Sequence, residues 1–191
     1  MTSFSHDVRG DGKSMSRIVF LEGLPKVGKT TIANTIKMMP IPNVFVVDEI
    51  VVNLSEKTPT NQEPFIRNDE IKLAMFDEGL IIIDRGPIST LSYNMTRSII
   101  DKEFDSSKVV NWFNRIKNSL YSDDISAIYL ENFGESYYLP FENDMDPYGS
   151  VHNQKILGQV TISNCKRYLK KFKIREYHKN DMEAVIDEII S

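Results

Sequence analysis

The residues with the clearest chemical potential form a short loop, EGLPKVGKTT, at positions 22–31. Two glycines, a lysine and a threonine follow one another with the spacing GxxxxGK[ST], which is typical of a loop that surrounds a phosphate. In such a loop the backbone N–H groups point at phosphate oxygens, the lysine reaches the β- and γ-phosphates, and the threonine hydroxyl binds Mg²⁺. The loop therefore predicts a site for Mg·ATP, formed by Gly23, Leu24, Pro25, Lys26, Val27, Gly28, Lys29, Thr30 and Thr31.

A second feature is Asp84, which follows the apolar run LIII at positions 80–83. An apolar strand that ends in an aspartate resembles a Walker B strand, whose carboxylate orients Mg²⁺ or a bound water at the carboxyl edge of a sheet. The alternative is that Asp84 caps the helix that follows. Together with the loop, the pattern predicts that Thr30 and Asp84 hold the magnesium ion, directly or through water.

The elements that must position these residues alternate along the chain. Apolar runs bounded by Gly or Pro predict five parallel strands that are buried on both faces, at 17–22, 43–49, 80–86, 125–132 and 172–177. Helices are predicted over 29–39, 67–79, 88–104, 106–120 and 151–171, and Gly79 closes the second of them at a C′ position. A last helix is predicted from Asn180, whose spacing to Glu183 fits a capping box. This order predicts a three-layer α/β sandwich with a five-stranded parallel sheet between helices.

Length and composition fit one soluble domain. The chain has 191 residues and a net charge of −4, which argues against a nucleic-acid or membrane-surface partner because both attract basic faces. No apolar run approaches the roughly 18 residues of a membrane span. The single cysteine, Cys165, suits a reducing cytoplasm, where disulfides are rare. We predict a disordered segment at 1–15, one domain at 16–191, and a flap at about 133–150.

Three sequence features resemble the thymidylate kinases, which belong to the P-loop nucleoside and nucleotide kinases. They are Glu22 before the loop, the pair Thr30–Thr31, and DRGPISTLSYN at 84–94. The stretch VVDE at 46–49 resembles, more distantly, the deoxynucleoside kinases, which carry a catalytic carboxylate there. The specific resemblance covers about residues 16–95, and it implies an ATP-dependent kinase with the P-loop kinase fold.

The resemblance also implies roles for several residues. Arg85 would bind the acceptor or the transferring phosphoryl group, while Tyr93 and Asn94 would approach the ring of the acceptor. Glu49, in preference to Asp48, would accept the proton of an attacking hydroxyl. Two further arginines could reach a phosphate of the acceptor, namely Arg67 and Arg97. The catalytic residues are then Lys29, Lys26, Arg85, Glu49 and Asp84.

The chain also departs from the thymidylate kinases. Pro25 occupies the loop position where those enzymes place an acid against the sugar of the acceptor. The segment 132–154 contains no Lys or Arg, whereas nucleotide kinases commonly carry arginines in their flap. The flap instead carries acidic and aromatic residues, namely Glu135, Glu142, Asp144, Asp146, Tyr137, Tyr138, Phe141 and Tyr148. An acidic flap repels a phosphate-rich acceptor, which disfavours thymidine monophosphate. Lys26 is the candidate for the missing cation, because some thymidylate kinases carry a basic residue at that position.

Three functions fit these features. The first is a kinase that moves the γ-phosphoryl of Mg·ATP to a nucleoside or nucleotide. The second is a kinase of a non-nucleotide hydroxyl, such as an antibiotic, which the acidic and aromatic flap favours. The third is a nucleotide-dependent switch or ATPase without an acceptor, although the Asn-Lys-x-Asp motif of GTPase switches is absent from the sequence. The sequence leaves open the acceptor, the preferred nucleotide donor and the oligomeric state, a homodimer included.

Overall fold

The computed structural model describes residues 16–54, 62–75, 77–131 and 148–191. The predicted disordered segment at 1–15 lies outside the described residues. So does most of the predicted flap, of which only 148–150 are described.

The centre of the molecule is a parallel sheet, as the apolar runs predict. The five strands lie in the order β2-β3-β1-β4-β5, and every neighbouring pair is parallel. They are β1 (Arg17–Gly23), β2 (Val44–Val47), β3 (Leu80–Asp84), β4 (Ile125–Glu131) and β5 (Lys171–Glu176). The predicted five-stranded α/β fold is therefore confirmed.

Helices cover both faces of the sheet. The described helices are α1 (Lys29–Met38), α2 (Glu63–Ala74), α3 (Pro87–Ile100), α4 (Ser107–Leu120), α5 (Val151–Tyr168) and α6 (Met182–Ile190). Side chains of α2 to α5 form one core around Trp112 and Phe113, and the fully buried Cys165 belongs to it. Side chains of α1 and α6 form the other core, which contains Ile32 and Val185.

The strand β1 shows why its sequence is apolar without a break. Phe20 packs into the core on the side of α4, whereas Val19 and Leu21 pack into the core on the side of α1 and α6. A central parallel strand has no solvent face, so both sets of alternating side chains must be apolar. The same strand delivers the phosphate-loop motif to the carboxyl edge of the sheet.

Several predicted helix boundaries are wrong. Helix α3 ends at Ile100 rather than at 104, and α5 ends at Tyr168 rather than at 171. Helix α2 begins at Glu63, with Pro64 in its first turn, and ends at Ala74. Gly79 does not follow that helix directly, and with φ 86° it forms the turn into β3. Helix α6 begins after a 3₁₀ turn, Lys179–Asp181, so Asp181 occupies the cap position and makes no side-chain capping bond. The predicted capping box of Asn180 and Glu183 is therefore absent.

Within the part of the chain that the structure describes, no helix is both long enough and apolar enough to cross a bilayer.

Candidate active site

The phosphate-loop motif joins β1 to α1 at the carboxyl edge of the sheet. Gly28 is the cap residue of α1 and has φ 105°, a conformation that favours glycine. A Cβ at this position would lie 2.7 Å from Cε1 of Tyr177, so the close approach also requires glycine. The loop thus presents the first turn of α1, where the helix dipole and the backbone N–H groups favour an anion.

Lys29 is buried at the base of this loop, with 4% of its surface exposed. Its Nζ donates hydrogen bonds to the carbonyl oxygens of Gly23 at 3.0 Å and Leu24 at 2.7 Å. Burial, reinforced by the positive charge of Arg85, lowers the pKa of Lys29 from 10.5 to about 7. The lysine is therefore a buried cation close to its titration point, in a position where phosphate oxygens would stabilise its charge.

The two predicted magnesium ligands lie within hydrogen-bond distance of each other. The Thr30 hydroxyl donates to Oδ2 of Asp84 at 2.6 Å, and Asp84 is completely buried. Oδ1 of Asp84 has no hydrogen-bond partner among the described residues. A hydroxyl beside a carboxylate with an unused oxygen fits Mg²⁺, which prefers oxygen ligands and keeps several waters. The described residues contain no group of three His, Cys, Asp or Glu that could hold a metal ion.

The turn that follows β3 has a strained backbone. Arg85 adopts φ 60°, in the left-handed region, which costs a residue with a side chain roughly 1–3 kcal/mol. Its N–H donates to the carbonyl oxygen of Leu21 at 3.1 Å, which ties the turn to β1. Its Nε lies 3.0 Å from Oε1 of Glu49. The structure therefore brings Arg85 and Glu49 together as a half-exposed ion pair beside the loop.

Glu22 links the phosphate loop to this turn. Its carboxylate is completely buried and accepts hydrogen bonds from the N–H of Gly86 at 3.1 Å and from the hydroxyl of Ser89. Burial raises the pKa of Glu22, although these hydrogen bonds oppose the shift. A Cβ at Gly86 would lie 2.5 Å from Cδ1 of Phe20, so only glycine fits there. The side chain of Glu22 thus ties the start of the phosphate loop to the DRGPISTLSYN segment.

A buried ion pair in α2 was not identified from the sequence. Lys72 is 3% exposed and its Nζ donates to the carbonyl oxygens of Asp84 at 3.1 Å and Arg85 at 2.7 Å. Oδ1 of Asp69 lies 3.8 Å from the same Nζ. Burial raises the pKa of Asp69 to about 7 and lowers the pKa of Lys72, while their mutual attraction opposes both shifts. The sequence signal for this ion pair is two opposite charges three residues apart, on the helix face that also buries Ile66.

Of the aromatic–amide pair in α3, Tyr93 packs against Tyr148, three residues before the start of α5. The rings of Tyr93 and Tyr148 are 4.4 Å apart, and the Tyr148 hydroxyl donates to the Tyr93 carbonyl oxygen at 2.5 Å. Asn94 is 1% exposed and its Nδ2 donates to the carbonyl oxygen of Thr90 at 2.8 Å. Oδ1 of Asn94 has no hydrogen-bond partner among the described residues. This buried acceptor is the feature of Asn94 that suits ligand recognition.

Three other residues predicted to contact the acceptor lie in separate environments. Asp48 is half exposed and pairs with Lys37 of α1 at 2.9 Å. Arg67 is exposed on α2. The Arg97 guanidinium carbon lies 4.4 Å from the centre of the Phe104 ring. Their roles remain predictions, and of the two neighbouring carboxylates Glu49 is the one that pairs with Arg85.

The spacer residues of the loop have different environments. Val27 is buried in the core on the side of α1, while Lys26 is exposed and has φ 64°. Leu24 and Pro25 line a cleft of about 220 Å³ between the loop, the end of β4 and α5. Glu131 and Lys155 supply one charge of each sign to that cleft. Of the four spacer residues, Lys26 is therefore the one whose side chain is exposed.

The lowered pKa of Lys29 leads to a prediction about proton uptake. At pH 8 the lysine of the nucleotide-free protein is mostly neutral, because its pKa is about 7. Triphosphate oxygens would raise that pKa again, and they carry no proton to release at pH 8 since the second pKa of a phosphate is near 6. We therefore expect Mg·ATP binding to take up about one proton at pH 8, whereas at pH 6 the lysine is already protonated and takes up almost none.

Isothermal titration calorimetry in buffers with different ionisation enthalpies measures this uptake. The matched control is Lys29→Arg, because an arginine stays protonated at both pH values. A parent protein whose binding enthalpy is independent of the buffer at pH 8 would contradict the prediction.

Comparison with solved structures places the fold among those of the nucleotide kinases. A thymidylate kinase from Candida albicans matches with a TM-score of 0.60 and 14% identity, over 93% of this chain and 91% of that chain. The YorR protein of Bacillus subtilis, in complex with phosphorylated GDP, matches with a TM-score of 0.54 and 15% identity, over 91% and 93%. A thymidylate kinase from Ehrlichia chaffeensis matches with a TM-score of 0.53 and 15% identity, over 92% and 97%.

At these identities the likeness concerns the fold. No protein-family model matches the sequence, and no curated protein sequence matches it significantly. The chain is therefore an α/β protein whose fold resembles that of thymidylate kinases, over nearly the whole length of both chains in each comparison.

Proposed function

We propose that this protein is an ATP-dependent phosphotransferase that moves the γ-phosphoryl group of Mg·ATP to a nucleoside or nucleotide. The observation that carries the proposal is the 2.6 Å contact between Thr30 and Asp84. It places a hydroxyl and a buried carboxylate together beside the buried Lys29, which are the three groups that a phosphate loop needs for a magnesium–nucleotide complex.

The loop would bind and orient the donor. Backbone N–H groups between Gly23 and Thr30 would surround the β-phosphate, and Lys29 would exchange its two carbonyl partners for phosphate oxygens. A bound Mg²⁺ would neutralise charge on the phosphates and hold them in line. Thr30 and Asp84 would fix the position of that ion at the carboxyl edge of β1 and β3.

The acceptor would lie on the side of Arg85 and Glu49. With a nucleoside, the Glu49 carboxylate would take the proton of the hydroxyl as its oxygen bonds to the γ-phosphorus and the bond to the ADP oxygen breaks. With a nucleotide, Arg85 would bind the accepting phosphate. The ion pair between the two side chains, at 3.0 Å, supports this assignment because it brings both groups to one place without a ligand.

The structural neighbours support a nucleotide as the substrate class. Two of them are thymidylate kinases, and the third was crystallised with phosphorylated GDP. Asn94 adds a buried amide whose oxygen is unused among the described residues, and such a group can recognise a base by hydrogen bonding.

A screen of acceptors tests the proposal. ADP release is measured with Mg·ATP and, in separate reactions, nucleosides, nucleoside monophosphates and aminoglycosides. We expect release that depends on one nucleoside or nucleotide. Release that depends only on an aminoglycoside would replace the proposal with an antibiotic kinase, and acceptor-independent hydrolysis would replace it with an ATPase or switch.

Lys29→Ala tests the loop assignment directly. The substitution removes charge-assisted hydrogen bonds to the phosphates, so we expect Mg·ATP affinity to fall by about 2–3 kcal/mol, or roughly 30- to 140-fold. Lys37→Ala is the matched control, because Lys37 is an exposed lysine of the same helix. Equal nucleotide affinity and turnover in Lys29→Ala and the parent would show that the loop does not bind phosphate.

A further inference from the structure

The ammonium group of Lys72 is buried beneath the turn that carries Asp84 and Arg85. It donates to the carbonyl oxygens of both residues, at 3.1 Å and 2.7 Å, and Asp69 lies at 3.8 Å in a third direction. Two of the three N–H donors of the lysine are thus hydrogen-bonded, and the Asp69 carboxylate pairs with the charge at longer range. Burial of a charge is costly unless it is paired and hydrogen-bonded in this way.

The two carbonyl groups are those at the point where β3 ends. An extended strand directs successive carbonyl groups to opposite sides, so one ammonium can reach both only if the chain leaves the extended conformation. Arg85 does so, with φ 60°. The charge of Lys72 therefore favours the left-handed conformation that an arginine would otherwise avoid.

The opposite side of the same turn is held by β1. The N–H of Arg85 donates to Leu21, and the N–H of Gly86 donates to Glu22. Lys72 binds the carbonyl oxygens and β1 binds the N–H groups, so the turn is clamped from both sides. The side chains that leave this turn are the Asp84 carboxylate, toward Thr30, and the Arg85 guanidinium, toward Glu49.

We propose that Lys72 is a positioning residue that fixes the left-handed turn at Asp84–Arg85 and thereby directs the carboxylate and the guanidinium into the active site. What the turn is used for rests on the proposed function. The hydrogen bonds that hold the turn do not depend on the proposed function, because they form within the protein itself. A lysine that only stabilised the packing of α2 would leave the turn unchanged when removed.

Amide hydrogen exchange separates the two roles. In Lys72→Met we expect the amides of Arg85 and Gly86 to exchange at least about tenfold faster relative to Ile82 in the middle of β3. The matched control is Lys108→Met. It removes an exposed lysine of α4 that pairs with Glu63 of α2, the helix that carries Lys72. Unchanged protection at the turn, or a uniform loss across β3 and α2, would overturn the proposal.

Two further variants keep the test decisive. Asp69→Asn combined with Lys72→Met removes both buried charges, so it should fold even if Lys72→Met does not, and it should show the same local exchange. In Lys72→Arg two N–H groups can still reach the carbonyl oxygens, so we expect protection of Arg85 and Gly86 to be largely restored. A lack of rescue in a folded Lys72→Arg protein would count against the clamp.

Turnover provides a second readout that depends on the proposed function. In Lys72→Met we expect kcat to fall more than about tenfold at saturating Mg·ATP while the KM for ATP changes less than threefold, because the phosphate loop remains intact. If the parent has no kinase activity, the proposed function fails and the exchange experiment still decides the role of Lys72.

Discussion

Asp84→Asn is expected to lower magnesium-dependent turnover by about 10²–10³-fold while leaving the melting temperature of the ligand-free protein unchanged or slightly raised. The carboxylate is completely buried, and Oδ1 has no partner among the described residues. The cost of burying a carboxylate whose Oδ1 has no partner in the described part of the chain offsets its attraction to the nearby Lys29 and Lys72, so removing the charge should change stability little. The asparagine keeps an oxygen for Thr30 but cannot supply the negative charge that favours the ion.

Two measurements distinguish this role from a structural one. Thermal melting with and without Mg·ATP reports the loss of ligand stabilisation, and kcat as a function of Mg²⁺ concentration reports the loss of metal affinity. Asp123→Asn is a suitable control because Asp123 is an exposed aspartate that pairs with Lys170. An Asp84→Asn protein that melts early yet turns over normally per folded molecule would make Asp84 structural only.

The strands and the phosphate loop could be predicted from the sequence because their constraints are local. A strand buried on both faces must be apolar at every position, so LIII before Asp84 and IVFL before Glu22 are hard to interpret otherwise. The loop has a fixed spacing of small and charged residues because the backbone must curl around one anion. In these segments, the residues adjacent in the sequence are nearly sufficient to predict the local structure.

Contacts across the fold could not be predicted in the same way. Glu22 and Gly86 are 64 positions apart in the chain, and their hydrogen bond exists only because β1 and β3 are neighbours in the sheet. The polar pair Asp69 and Lys72 lies in a helix, where such residues are usually exposed, and only the position of Asp84 and Arg85 explains their burial. The left-handed conformation of Arg85 likewise cannot be predicted from the sequence, because arginine has no preference for it.

The end of α2 illustrates the limit of a local rule. A glycine after an apolar helical pattern often marks the end of a helix, but Gly79 has a different partner. A Cβ there would lie 2.6 Å from the carbonyl oxygen of Asn43, just before β2. The glycine is needed because two chain segments approach each other, and the helix ends several residues earlier.

Lys26→Ala is expected to lower kcat by about 10²–10³-fold with little change in the affinity for Mg·ATP, which is the size of effect seen when one transition-state donor is removed. The segment 132–154 contains no Lys or Arg, so charge that develops on the moving phosphoryl group must be met from elsewhere. Lys26 is exposed in the phosphate loop, two residues before Gly28. The cation is therefore in the loop that surrounds the phosphates.

The backbone of Lys26 allows a sharp control. Its φ of 64° is unfavourable for lysine and alanine alike, so Lys26→Ala removes the charge without relieving the strain. Lys26→Gly removes the charge and relieves the strain, and an equal loss of kcat in both variants would assign the effect to the charge. Lys26→Arg should retain much of the activity because a cation still reaches the same oxygens. Parent-like kcat in Lys26→Ala would transfer the role to Arg85 or Arg97, whose alanine variants would then have to show the missing loss.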